Sequence, residues 1–532
     1  MSRLARATAL MTFGTVLSRL TGVIRLAAIA AALGVVESKL PDTYNLANTV
    51  PNIIYELVLG GVLTSVFVPV FVELLANEGR ERAWSVASAI LNVSLVVLTA
   101  ITVLGILAAP FIARFYASGL EGDQARLQEE VLTFVLRLFL PQIIFYGLAA
   151  ITAGLLNAHR HFGPPMYTPV LNNLAVIAVF VGFYNAYGAV TLQTITTTQI
   201  LLIGVGTTLG VVLMAVAQLP FLRGLGAYRF SFSIKHPSVR KMARLSVFVI
   251  GYVITNQLGY LVVQWLANRV TGGYSAYVSA FTFFMLPHGL FAVSLITALL
   301  PEMSEHAVNQ RWDDFRDRLS LGVRATALLI LPAAVGYFIL SEPIVTLLLK
   351  RGVITARSVE LVSGVLRVFV VGLVPFSLFQ LFLRAFYALH DTKTPFLINL
   401  GAVTLNTAVN VPLFLWLGVR GLAAGHAIAY SFGSILQGTR LRSRIGGLDG
   451  RRILASGARI AAAALGMGVA VLAALRLVGE LVDTEAAGGA AAAVLVPVAV
   501  GLCVYGGLAV MLRVQELSFL RSVIIKRSGN RD

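Results

Sequence analysis

Two arginines and a row of amides lie inside apolar runs, where their chemistry needs an explanation. The stretch VLSRLTGVIRLAAIAAALG, residues 16–34, reads as a membrane helix, yet it carries Arg19 and Arg25 near its middle. Facing lipid at the centre of a span, each would cost about 2.5–3.5 kcal/mol. From Arg25 to the end of the apolar run is about 13 Å at 1.5 Å per residue, too far for easy escape to the interface. Both are therefore expected to face protein or a water-filled cavity. Ser18 and Arg25 are seven residues apart and share a helix face, and Gly22 between them leaves room beside the arginine. The next apolar run carries Asn45, Asn48, Asn52 and Glu56 at i, i+3, i+7 and i+11, one continuous polar stripe on a helix. Glu56 is the only carboxylate well inside any expected span, and Asp42 lies just before the stripe. One acid against two or three arginines leaves a net positive interior. That sign suits an anion with several charges, such as a phosphate or pyrophosphate, whereas a cation antiporter would show buried acids. Arg367, about ten residues into a later run, is a further candidate, and Arg137 is intermediate in depth. Arg324 and Arg384 stand near enough to the inner face to snorkel and are assigned no role.

The elements that must hold these groups follow from composition. Of 532 residues, 58% are hydrophobic and 12% charged, with a mean hydropathy of +0.84. A soluble chain of this length would carry about twice that share of charge. The chain is expected to be an all-α, multi-pass membrane protein. Apolar runs long enough to span fall at roughly 8–34, 45–72, 86–113, 130–157, 164–186, 196–220, 243–267, 275–301, 318–341, 358–388, 394–417, 420–439, 457–479 and 487–512. Fourteen spans put both ends on one side. With the N-terminus inside, 26 Lys and Arg fall in inner segments and 9 in outer ones. The positive-inside rule then places both termini in the cytoplasm, and it accounts for most of the net charge of +17 without a nucleic-acid partner. Arg19 and Arg25 also interrupt what would be the apolar region of a cleaved signal peptide. Cys503 is the single cysteine, so no intrachain disulfide forms. No phosphate loop of the G-x-x-x-x-G-K-[ST] kind and no catalytic constellation is present. The chain is expected to be neither an enzyme nor dependent on a cofactor or metal. The seven histidines are scattered, and His288, after Pro287, is expected to be packed or hydrogen-bonded.

Two basic loops, RGLGAYRFSFSIKHPSVRKMAR and RLRSRIGGLDGRR, divide the chain into residues 1–222, 223–445 and 446–532. Six spans, six spans and a final pair are expected. Anionic headgroups would attract both loops at about 1 kcal/mol per basic residue. The first two parts repeat. YTPVLNNLAV and KTPFLINLGAV share T-P-x-L-x-N-L at Thr168 and Thr394, an offset of 226. LLNAH faces FYALH just upstream, and VLTSVFVPVFVE faces SLITALLPE at an offset of 232 between prolines. Two six-helix lobes of one orientation, meeting at a central cavity near the bilayer midplane, are the expected architecture.

The stretches LSRLTGVIRLAAIAAALG and DTYNLANTVPNIIYELVLGGVLTSVFVPVF resemble the opening of the MviN/MurJ family of lipid II flippases. PPMYTPVLNN, LLLKRGVITARSVELVSGVL and FYALHDTKTPFLINL are similar to its later signatures, and the resemblance runs from about residue 4 to 445. It implies two lobes around a V-shaped cavity, a groove for a lipid tail at spans 13 and 14, and alternating access. The cargo it implies is undecaprenyl-pyrophosphate-linked peptidoglycan precursor, moved from the cytoplasmic to the outer leaflet of a bacterial plasma membrane. Cell-wall synthesis proteins are further implied partners. The family's essential span-1 arginines fall on Arg19 and Arg25, and its span-2 aspartate on Asp42. Some positions depart from the pattern. Leu26 stands where an acid usually follows the second arginine, Tyr55 and Glu56 stand where basic residues follow PN, and Gly60 replaces a glutamate. Span 8 reads SAFTFFMLPHG, with Phe281, Thr282 and Met285 where the family carries charges. Two other readings stay open: a flippase for another polyprenyl-pyrophosphate-linked glycan, and a membrane scaffold for cell-wall assembly that does not transport.

Overall fold

The computed structural model describes residues 3–56, 68–232, 237–484 and 486–517, and among them there are helices and no strand. The first helices are α1 (Arg3–Leu33), α2 (Leu40–Glu56), α3 (Val68–Asn77), α4 (Gly79–Ala117), α5 (Gly122–Phe139), α6 (Gln142–Ala158), α7 (Gly163–Tyr187) and α8 (Thr197–Val216). After a 3-10 turn at Leu219–Leu222 come α9 (Pro237–Ala267), α10 (Gly273–Pro287), a π-helical turn at His288–Ala292 and α11 (Val293–Val308). The remainder is α12 (Trp312–Leu349), α13 (Ala356–Val371), α14 (Leu373–Ala388), α15 (Lys393–Leu417), α16 (Val419–Ile445), α17 (Gly450–Leu481) and α18 (Ala487–Met511). Ten described stretches are long and apolar enough to cross a membrane, and α13 with α14 forms an eleventh bent by 49°. The other expected spans fall on α2 with α3, on α9 and on α16; the second half of span 2, with Gly60, lies outside the described residues, as do His236 and the basic tail after Leu517.

The helices start and stop where local chemistry dictates. Thr196 and Gln199 form a reciprocal cap at the start of α8: the Thr196 hydroxyl accepts from the Gln199 N–H, and the Gln199 side chain accepts from the Thr196 N–H at 2.9 Å. Gly188 and Gly418 end α7 and α15 at φ of 65° and 59°, a region where glycine carries no steric penalty.

The internal repeat is visible in element lengths. α1 and α9 are both 31 residues long and start 234 apart; α7 and α15 are both 25 residues long and start 230 apart. The α6–α7 and α14–α15 junctions turn through the same kind of residue, Arg160 at φ 62° and His390 at φ 56°. The shared T-P-x-L motif, offset by 226, is therefore one helical turn out of step with the helices that carry it.

Two compact units result. The first covers Ser2–Ser275 with Arg351–Ile354; the second covers Ala276–Lys350 and Thr355–Asp532. The division falls one helix later than the sequence repeat, because α9 packs with α2 and α4. In the second unit α17 and α18 pair with each other and with α12.

Candidate functional site

α1 is held against α7 by small and polar groups. Asn173 of α7 donates to the Thr21 hydroxyl at 3.0 Å and to the Ser18 carbonyl at 3.3 Å. Gly22 faces this amide, with the Asn173 Nδ2 3.9 Å from where a Cβ would stand, an ordinary contact distance. Arg25 is half-buried, and its guanidinium stands within hydrogen-bonding reach of the Tyr44 phenol of α2 and close to Tyr146 of α6. The Tyr44 hydroxyl also meets Thr207 of α8 at 3.0 Å. Its ring packs edge-on against Phe139 and Phe180. Tyr146 leans on Tyr55 at 4.6 Å between centroids. Arg25 thus lies near phenol oxygens, and among the described residues no carboxylate pairs with it. Arg19 is exposed on a different side of α1, six residues and about 120° away, so the structure does not bring the two guanidiniums onto one face.

The amide stripe of α2 turns toward α9 and the start of α10. Asn45 donates to the Ser275 hydroxyl at 3.0 Å, and Thr49 meets the Tyr274 hydroxyl at 2.7 Å. Asn52 donates to the Asn48 carbonyl at 2.6 Å, while the Asn48 side-chain oxygen is buried without a partner among the described residues. Glu56 is exposed and accepts from Gln257 of α9 at 3.1 Å, so in this conformation it pairs with an amide and not with a span-1 arginine.

Asp42 has a different setting. Its carboxylate is fully buried and faces Lys39 at 3.2 Å, whose ammonium is fully buried as well. The carboxylate also accepts from the N–H groups of Gly272 at 2.8 Å and Ser275 at 2.9 Å. The Lys39 ammonium donates further to the Asn268 and Val270 carbonyls. Asn268 exchanges hydrogen bonds with Gln128 of α5 and donates to the Tyr116 carbonyl of α4. Every strong donor and acceptor in this knot is used, which is the condition for a buried ion pair to offset its desolvation. Gly272, at φ +73° and against the Val35 carbonyl, leaves no space for a side chain. Asp42, expected among the substrate ligands, is therefore closed off in this conformation and joins α2, α4, α5 and the end of α9. Lys39 is one of the nine basic residues that the sequence assigns to outer segments. Its spacing three residues before Asp42 was the available signal; Asn268 and Gln128 gave none.

The second unit holds its charges differently. Arg367 of α13 donates to the Ser341 hydroxyl at 2.9 Å and pairs with Glu342 of α12 at 3.6 Å. Arg324, expected to snorkel, is instead buried against Glu516, which follows α18 and also accepts from Ser456 of α17 at 2.7 Å. A buried acid at the right depth competes successfully with water for a guanidinium. Arg384 is exposed and lies over the Tyr387 ring. Where a charge pattern was sought on α10, rings fill the space. Phe281 and Phe284 pack with Phe369 and the buried His426, Phe284 also meets Phe376, and Tyr430 packs on Phe376 and His426. His288 is hydrogen-bonded to Ser377 at 3.0 Å, as its position after Pro287 suggested.

Comparison with known proteins places this arrangement. The profile of the family described as lipid II flippase MurJ matches residues 29–485. A lipid II flippase MurJ of Burkholderia cenocepacia is 29% identical over 439 residues, 81% of this chain and 82% of that protein. A probable lipid II flippase MurJ of Rhizobium meliloti is 31% identical over 77% of this chain and 76% of its own length. Among solved structures, a lipid II flippase MurJ in an inward closed conformation superposes with a TM-score of 0.76 at 22% identity, covering 97% of this chain and all of that one. An inward-facing multidrug resistance MATE family transporter superposes at 0.66 and 15% identity, over 81% of this chain and 95% of that one. The fold is that of these exporters, and this multi-pass membrane protein belongs to the MurJ family of lipid II flippases.

Proposed function

We propose that the chain carries lipid II from the cytoplasmic to the outer leaflet by alternating access, with both termini in the cytoplasm. The observation that carries the reading, beside family membership, is Arg25. It is a permanent cation in a membrane helix, held by phenols and left without a carboxylate among the described residues. Such a group is neutral in none of its states, so an anionic headgroup is the partner that completes it. A pyrophosphate offers more acceptor oxygens than one guanidinium can fill. Ser18 and Arg19 on α1 and Asn48, Asn52 and Glu56 on α2 are the nearest further candidates, with Arg367 a weaker one. Asp42 acts in this scheme through the position of α2. The two halves of the repeat act as the two lobes in this scheme, and spans 13 and 14 hold the lipid tail. The chain has no nucleotide-binding loop, so an inside-negative membrane potential is the proposed drive, worth about 2.3 kcal/mol per charge per 100 mV if each charge crosses the whole field. The deciding experiment is rescue of growth in a bacterium depleted of its own lipid II flippase. Growth and restored outer-leaflet lipid II support the proposal; a well-expressed chain that restores neither excludes it.

A second reading has its own observation. The aromatic packing around Phe281 removes charge from the second repeat. A flippase for a different polyprenyl-pyrophosphate-linked glycan would need only the first-repeat cation. Rescue of another glycan-export defect, without rescue of lipid II export, would favour it.

A further inference from the structure

The stretch RGLGAYRFSF, residues 223–232, forms an extended strap along the N-terminal turns of α4. Arg80 donates to the Leu225 carbonyl at 2.5 Å and to the Gly224 carbonyl. Asn92 donates to the Ser231 carbonyl at 2.9 Å and accepts from the Tyr228 hydroxyl at 2.6 Å, and the Ser88 hydroxyl accepts from the Arg229 N–H at 3.1 Å. Five hydrogen bonds thus fix the strap. Beneath it is a cavity of about 450 Å³ lined by Arg80, Glu81, Trp84, Gly226 and Arg229, among others.

Two features of this cavity point to a ligand. Trp84 is 6% exposed, and its indole N–H is buried with no acceptor among the described residues. A buried indole N–H ordinarily finds a partner, and this one lines the open space. Gly226 lies against the Trp84 ring where a side chain would not fit, so the strap packs closely on the indole. Two guanidiniums and one carboxylate, Glu81, line it, and Arg229 engages that carboxylate. The balance is one positive charge, suited to a monoanion rich in acceptor oxygens.

The surroundings choose among such anions. Tyr228, Phe230 and Phe232 are 54%, 78% and 48% exposed, and Phe230 and Phe232 meet edge-on at 5.1 Å. Exposed rings beside arginines mark the headgroup level of a bilayer. α4, with 39 residues, is roughly 58 Å long against a hydrocarbon core of about 30 Å, so its ends reach past that core. We propose that this cavity binds the phosphodiester of an anionic phospholipid of the cytoplasmic leaflet, with the Trp84 N–H and the two guanidiniums donating to it and Phe230 and Phe232 seated among the acyl chains. The leaflet rests on the inside placement of both termini; the site itself is independent of the transported cargo.

The test is lipid binding to the full detergent-solubilised chain, read by native mass spectrometry. Phosphatidylglycerol is compared with phosphatidylcholine, whose phosphate is covered by a cation, and with inorganic phosphate. Phosphatidylglycerol is expected to bind preferentially. Trp84→Phe keeps the ring packing and removes only the donor, so it should weaken phosphatidylglycerol about three- to tenfold. Arg229→Ala should weaken it about tenfold or more. Equal phosphatidylglycerol binding by both variants and the parent overturns the site. Displacement by inorganic phosphate with no preference for phosphatidylglycerol overturns the lipid and leaves a small-anion site. Neither result bears on rescue of the flippase-depleted strain, so failure of the cargo assignment is read separately.

Discussion

α1 and α9 share a length, and so do α7 and α15, yet the two repeats fill their interiors by different chemistry. In the first, Arg25 lies near Tyr44 and Tyr146, and the amides of α2 run along one face. In the second, the place where charges are expected on α10 is filled by Phe281 and Phe284 around His426. The backbone pattern has outlasted the side-chain pattern. Helix length is set by bilayer thickness, which acts on both halves alike. Interior polarity is set by what must be bound, and one half can supply it alone. The difference concentrates the proposed anion-binding chemistry in the first repeat.

That contrast can be broken most sharply at Arg25. Arg25→Ala is expected to abolish growth support in the depleted strain at a normal membrane level, and Arg19→Ala to do the same. Arg25→Lys should recover only part, because an ammonium cannot make a bidentate contact. Normal growth of both alanine variants would remove the anion site from the first repeat.

The next largest effect is expected at the buried knot. Lys39→Ala leaves Asp42 buried beside Asn268 without its cation, and loss of one partner of a buried pair costs about 3–5 kcal/mol. Thermal unfolding of the purified chain should fall accordingly. A variant as stable as the parent would show that Asp42 is free for a ligand, as the family resemblance suggested.

In the second repeat the corresponding change should be mild. His426→Phe removes a buried ring nitrogen that has no hydrogen-bond partner among the described residues and keeps the aromatic packing. Stability should be unchanged or rise by up to about 1 kcal/mol, with growth support retained. Loss of growth support with a normal membrane level would give the ring cluster a transport role and erase the asymmetry.

The smallest effect concerns the junction before α15. Burial opposes ionisation of Asp391, but the Thr394 N–H and hydroxyl and the Arg444 guanidinium outweigh it and hold its carboxyl below the ordinary value. A lowered folded-state value adds stability above the ordinary carboxylate range, lost as pH falls through it. Asp391→Asn should therefore cost roughly 1 kcal/mol at neutral pH, with the gap to the parent closing below about pH 4. A gap that does not change with pH would assign the effect to packing.

The sequence by itself determined the helical membrane class, the spans, the repeat and the placement of Arg19 and Arg25 within a span. These follow from local apolar length and from the cost of charge in lipid, which each segment carries on its own. It also carried the family resemblance that the comparisons bear out. Partners were decided only by the tertiary structure. Lys39 reads as a loop charge until Asn268, more than two hundred residues on, closes over it, and Arg324 reads as a snorkelling side chain until Glu516 returns beneath it. A charge in a low-dielectric interior takes whichever group the packing brings within hydrogen-bonding distance, and no spacing along one helix specifies what another helix will present.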